Sequence, residues 1–271
     1  MAPSAGRLAP SASAALGMVA TFGSMGTFAI DPGLAVLLTD AGLSVANILR
    51  RAGLPGDLFA RSAVRLPIPD YYALCDAIEA EADVPHFPIL LGESLTFESF
   101  GPAIFAAACS ENLVTAARRI AEYKPLVGPL KINVVEKNDT ASIIARWPAS
   151  PEPPEGLVGG ELVFWVALAR LATRHRVEPL ALEMPVVLTV PGPYEEWLGV
   201  TPTHSAICRV VFSKEDAYRP FLTANARMWD FFEPELRRRL AELGVEASLK
   251  DRVESALLEL LPAGDGTMSA V

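Results

Sequence analysis

The hydrophobic positions change period several times along the chain, and each change marks an element. Leu34, Leu37 and Leu38 share one face of a helix in "GLAVLLTD". Val45, Ile48 and Leu49 repeat the pattern in a second short helix, which Gly53 and Pro55 stop. Pro69 opens a third helix carrying Tyr72, Leu74, Cys75 and Ile78 at helical spacing. Two more follow in "GPAIFAAACSENLVTAARRIAEY". Pro102 suits a first turn, where its missing N–H has no partner to lose. Ser110 or Asn112 is placed to cap the next helix, whose Leu113, Ala116, Ala117, Ile120 and Tyr123 point inward while Arg118, Arg119 and Glu122 face water.

At Leu130 the period drops to two. Leu130, Ile132 and Val134 alternate with Lys131 and Asn133, Asn138-Asp139 makes a turn, and Ala141, Ile143, Ala145 and Trp147 alternate on the return. After the Pro-rich connector "PASPEPPEG", a helix from about Glu155 to Arg174 is apolar nearly all round, which predicts a central position. A strand in "PLALEMPVVLTV", a short helix in "PYEEWLGV" and a strand in "SAICRVVF" come next. Two helices are expected at the end, one with Trp229, Phe232, Leu236, Leu240 and Leu243 at steps of three or four. The other is capped by Ser248 and carries Leu249, Val253, Leu257 and Leu260. The expected class is α+β: a helical N-terminal part, a mixed sheet of ββαβαβ-like order with packed helices, and two C-terminal helices.

Composition sharpens this picture. The 271 residues are 51% hydrophobic and the mean hydropathy is +0.30, enough for a sizeable core and an apolar cavity besides. No run of about 18 uncharged apolar residues occurs, so no membrane span is expected. The net charge of −9 argues against a grip on a phosphate backbone by this segment itself. Cys75, Cys109 and Cys208 are far apart and odd in number, and read as free thiols in a reducing cytoplasm. Residues 1–31 read as a flexible Ala/Ser/Pro-rich leader. A signal peptide fits poorly, because Arg7 is the lone basic residue before the apolar stretch and the small-residue run Ser11 to Ala15 precedes that stretch.

Catalytic patterns are missing. There is no GxGxxG, Walker loop or nucleophile elbow. His86, His175 and His204 stand in no metal-ligand spacing. No catalytic residue, metal ligand or cofactor is expected, and the chain is not read as an enzyme.

Four stretches in order resemble one family: "LLGESLTFESFGPAIFAAACSENLVTAARRIAEYKPLVG", "LKINVVEKNDTASIIARW", "YEEWLGVTPTHSAICRVVFSKEDAYRPF" and "SLKDRVESALLELLPAGDGTMSAV". They are similar to the N-terminal, arabinose-binding-like effector domain of AraC/XylS-type bacterial transcription regulators, in the ornithine-utilisation branch. The resemblance implies residues 32–262 as an effector-binding and dimerisation domain. Residues 263–271 would begin a linker to a helix-turn-helix domain that this chain lacks. It further implies a small-molecule effector, a homodimer, DNA binding only through that absent domain, and a cytoplasmic protein without membrane contact.

Glu161, in the apolar run "GGELVFWVAL", is the candidate for the ligand's polar contact. A carboxylate on a buried helix needs a partner or a ligand; Arg118, Arg146 or a backbone amide are the internal alternatives. Phe100, Tyr123, Phe164 and Trp165 are candidates for an apolar pocket wall, or for ordinary core. The pocket is expected between helix 155–174 and the strands near Leu130 to Trp147, for a small apolar ligand or an amphipathic one with a single cation. Trp229, Leu236, Leu240, Val253 and Leu257 are the candidates for a dimer interface. A second reading stays open, in which the apolar excess serves a structural or protein-interaction surface with no small ligand.

Overall fold

The computed structural model describes residues 28–30, 33–61, 64–148 and 150–260, without the side chains of residues 28, 29, 99 and 244–260. The first described element is strand β1 (Phe28–Ile30), within the stretch read as leader. It pairs antiparallel with β2 (Val64–Leu66). Helices α1 (Gly33–Asp40), α2 (Val45–Arg51) and α3 (Ile68–Ala82) gather around this ribbon. Ile30, Leu38, Ile48, Leu49, Val64, Leu66 and Leu74 make a small core there. Ser44 caps α2 by accepting from the Asn47 N–H. Residues 1–27 and 261–271, on which the rest of the leader and the linker expectation fall, lie outside the described residues.

Helices α4 (Phe87–Ser94), α5 (Pro102–Ala108) and α6 (Leu113–Tyr123) lead to the sheet. Of the two expected caps for α6, Asn112 takes the role, its Oδ1 accepting from Thr115 N–H at 2.9 Å. Arg119 departs from its expected solvent position. Its guanidinium lies 3.8 Å from the centroid of the Trp229 ring and donates to Ser110 Oγ at 2.8 Å. An apolar stem and a planar cation let arginine cover an aromatic at the edge of a core.

The sheet has five strands in the order β3 (Lys131–Lys137), β4 (Thr140–Arg146), β7 (Cys208–Ser213), β5 (Ala181–Met184), β6 (Thr203–His204). All pairs are antiparallel except β5 with β6. The register brings Ile132 opposite Ala145, Ile143 opposite Val210 and Ala145 opposite Cys208, and all of these are buried. One face is therefore core and the other carries polar pairs such as Arg209 with Glu183, the pattern of an antiparallel sheet covered on one side.

Helix α7 (Glu155–Thr173) packs on α3 and α4 with one side and on β5 and β7 with the other. By length and mean hydropathy alone it could cross a membrane, but Glu161 and Arg170 interrupt it, so it is not the uncharged apolar run that the sequence lacks. Its apolar surface is instead taken up by neighbours on both sides, the arrangement expected of a core helix. α8 (Pro191–Leu198) and α9 (Lys214–Ala217) flank the sheet strands.

The two expected C-terminal helices are one, α10 (Ala226–Leu260), which contains Pro234. A single Gly244 costs about 1 kcal/mol in a helix interior, too little to end one without a competing cap. Its first half lies on α5 and α6, where Trp229 and Leu236 are buried with Tyr123. Pairs such as Arg239 with Glu235 at 2.8 Å line its outer face, and two arginines hold the Glu235 carboxyl down at about 2.

Candidate effector cavity

A cavity of about 350 Å³ lies in the seam between the front helices and α7. Leu37 of α1, Cys75, Ile78 and Glu79 of α3, and Phe87, Pro88 and Leu91 of α4 form the front wall. Gly156, Leu157, Gly160, Glu161, Val163 and Phe164 of α7 form the back, and Ile104, Lys124 and Val127 close one end. The volume falls in the range of about 300–1,000 Å³ typical of small-molecule sites. Glycines shape the seam. A Cβ on Gly92 would come 2.4 Å from Val163 Cγ1, so α4 reaches α7 only because none is there.

The expected carboxylate is buried, and the protein supplies its cation. Glu161 is 8% exposed and Lys124 7%. Lys124 Nζ donates to Glu161 Oε2 at 3.0 Å and to Oε1 at 3.3 Å. Trp165 Nε1 donates to the same Oε1 at 3.1 Å. Neither arginine considered as a partner from the sequence is used; Arg118 pairs with Glu136 instead. The lysine was hidden because it stands at the end of α6 in "EYKPLVG", a position that reads as surface. The turn of residues 124–126 folds it back over the chain, against α7.

Glu79 went unnoticed in the sequence, where it looks like one of several solvated acids on α3. Its Oε1 is buried without a hydrogen-bond partner, and the residue lines the cavity. The carboxyl is pushed above the usual range by burial, then by the charges of Asp76 and Glu155; the Gly156 N–H pulls it partly back. A Cβ on Gly156 would sit 1.0 Å from Glu79 Oε1, so the carboxylate occupies the notch which that glycine leaves in the first turn of α7. Burial also pushes the neighbouring Cys75 thiol up to about 12, leaving it protonated and unreactive at neutral pH.

Among the expected wall residues, Phe164 lines the cavity and Phe100 packs edge-to-face behind it at 6.2 Å between centroids. Trp165 is 1% exposed and stands behind the wall, bonded to Glu161 and packed on Phe164. Tyr123 faces away, against Trp229 at 6.0 Å. The cavity does not border the strands near Leu130 to Trp147, as expected from the sequence. Side chains from α6 and α7 close-pack that face, and the apolar surplus of α7 leaves its space on the opposite, helical side.

A second hollow of about 600 Å³ lies by His86, Glu93, Arg170, Glu196 and Trp197. Arg170 Nε donates to the Val177 carbonyl at 2.9 Å and its guanidinium stacks 4.3 Å from the Trp197 centroid, with Nη2 buried and unbonded, while Arg176 pairs with Glu178 at 3.0 Å. Among the described residues no group of three His, Cys, Asp or Glu side chains comes together to hold a metal.

Residues 42–221 match the family model of the arabinose-binding domain of AraC transcription regulators, N-terminal. That range holds the whole sheet and every helix lining the cavity except α1. The fold is similar to that of the transcriptional regulator CdpR from Pseudomonas aeruginosa, with a TM-score of 0.52 and 17% identity over 82% of this chain and 70% of that one. No curated protein matches the chain by sequence.

Proposed function

This chain belongs to the AraC transcription regulators that carry the arabinose-binding domain, and on that premise we propose that it senses a small, largely apolar molecule in the cavity between α3, α4 and α7. The single observation that carries this reading is the cavity itself, about 350 Å³ in a seam between two packed cores. A ligand there bridges the front helices and α7 and so holds one arrangement of the two. It shifts a conformational equilibrium only by its unequal affinity for the two states; a tenfold preference is worth about 1.4 kcal/mol.

The route outward runs through Lys124. The turn of residues 124–126, which begins at this wall residue, touches α10, and α10 also lies on α5, whose Ile104 lines the cavity. α10 then leads toward the helix-turn-helix reader expected C-terminal to it, in a protein acting in the cytoplasm. The name of the family domain mentions a pentose, but hydroxyls on every face of a sugar need partners. The wall offers Cys75, Glu79, Lys124 and Glu161 as its polar side chains, and two of these already satisfy each other.

Thermal-shift titration against short-chain amines, alcohols, carboxylates and pentoses tests the reading. A ligand at a hundred times its dissociation constant adds about 2.7 kcal/mol, a rise of about 5–10 °C for a domain of this size. Gly160→Leu is expected to fill the cavity and abolish the shift, because the nearest atom to a Cβ there is Pro88 Cβ at 3.9 Å. A saturable shift that Gly160→Leu leaves intact would place binding elsewhere, and a response to pentoses alone would contradict the apolar reading.

Dimerisation is proposed through α10, beyond the part held in one protomer. Trp229 and Leu236, expected at an interface, are buried against α5 and α6. Leu240 is half-buried, Phe231 is 74% exposed, and the side chains of Val253 and Leu257 lie outside the described residues. Light scattering at micromolar concentration is expected to give twice the 29.0 kDa of one chain; a single-chain mass there excludes this interface.

A further inference from the structure

We propose that Glu79 is the recognition group of the cavity and that the effector carries a protonated amine on a short apolar tail. The inference rests on the sensor reading above and goes beyond it in naming the head group and its contact.

Among the described residues three charged side chains line the cavity: Glu79, Lys124 and Glu161. Lys124 and Glu161 neutralise each other at 3.0 Å, and the Trp165 indole takes a further position on Glu161. They form a closed polar unit with little left for a ligand. Glu79 has no cation beside it; a hydrogen bond from the Gly156 N–H is what it receives from the protein. Its Oε1 is withdrawn from water and accepts no hydrogen bond. The nearby charges that bear on its carboxyl, those of Asp76 and Glu155, are both negative. A buried acceptor left unmade is costly, and more so when charged.

A ligand ammonium beside this carboxylate supplies the counter-charge that the protein withholds. The wall carries two carboxylates against one ammonium, so a cation gains and an anion loses on entry. The same sum disfavours a free amino acid, since its carboxylate would have to break the Lys124–Glu161 pair to find a counter-charge. Away from Glu79 the wall is Leu37, Leu91, Leu95, Ile104 and Phe164, which suits a hydrocarbon tail. Gly156 belongs to the device, because the notch it leaves is the space that the Glu79 carboxylate occupies.

Hexylamine, hexanol and hexanoate, titrated calorimetrically into the full chain at neutral pH, separate the head groups at constant tail. Hexylamine is expected to bind at least tenfold tighter than hexanol, with hexanoate weakest. Glu79→Gln should cost hexylamine tenfold or more and leave hexanol within twofold. Glu79→Asp, which keeps the charge, should retain a preference for the amine, and unchanged circular dichroism of both variants shows that they fold. Tighter binding of hexanoate, or hexylamine affinity within twofold of wild type in Glu79→Gln, overturns the assignment. Binding of none of the three overturns it as well. If hexanol binds and Gly160→Leu excludes it while Glu79→Gln changes nothing, the sensor reading stands and the role of Glu79 falls.

Discussion

Replacing Lys124 by Met is expected to destabilise the protein by about 3–5 kcal/mol, because it strands the Glu161 carboxylate in a nearly dry site. At this size that corresponds to a fall of order 10 °C in melting temperature. The ammonium is 3.0 Å from Glu161 Oε2, and the other donor to this carboxylate is the Trp165 indole. Removing both charges together should behave differently. Lys124→Met with Glu161→Gln leaves no unpaired ion, and buried pairs replaced by neutral groups are often close to neutral in stability. Urea denaturation of wild type, both single variants and the double variant measures the coupling. A double variant as unstable as Lys124→Met would mean that the loss came from packing around the lysine stem and not from a stranded charge.

Trp165→Ala is expected to cost a further-reaching 3–5 kcal/mol or about that, the usual toll for removing a large buried aromatic. Trp165 is among the largest fully buried side chains, and its ring packs on Phe164 at 5.1 Å between centroids. Trp165→Phe separates the two contributions. It keeps most of the volume and loses the indole donor to Glu161, so about 1–2 kcal/mol should go. In a Glu161→Gln background the Phe substitution should cost measurably less than in wild type, since the charged acceptor is gone. Equal costs in the two backgrounds would show that the indole N–H contributes nothing through Glu161.

Much of the architecture was legible before the structure. The hairpin was readable because Ile132, Val134, Ala141 and Ile143 alternate on both sides of Asn138-Asp139, and β3 pairs with β4 in that register. The α6 face was readable because its inward residues repeat at helical spacing up to Tyr123. Helix α7 announced its central place by being apolar on every side. What could not be read was which neighbour each side of it meets, since an all-round apolar pattern has no direction. That is why the cavity was expected against the strands and lies against α3 and α4.

The candidate site divides in the same way. That Glu161 is a carboxylate in an apolar helix is a property of the chain, and the physical consequence, a need for a partner, follows from desolvation alone. Which partner answers depends on distance in space: Lys124 lies 37 residues away along the chain and reaches it only after the turn that follows α6. Glu79 shows the converse, since nothing in the α3 sequence marks it, and its Oε1 becomes a buried acceptor without a hydrogen bond only when α7 packs Gly156 against it. Local periodicity, turn chemistry and the energetic cost of a buried charge are set by residues near one another in sequence, so the chain by itself determined the elements, the central helix and the presence of one acid requiring a partner. The pairing of charges, the side on which space remains and the identity of the carboxylate left without a counter-charge were decided only by the tertiary structure, because each depends on contacts between segments whose separation along the chain carries no information about their distance.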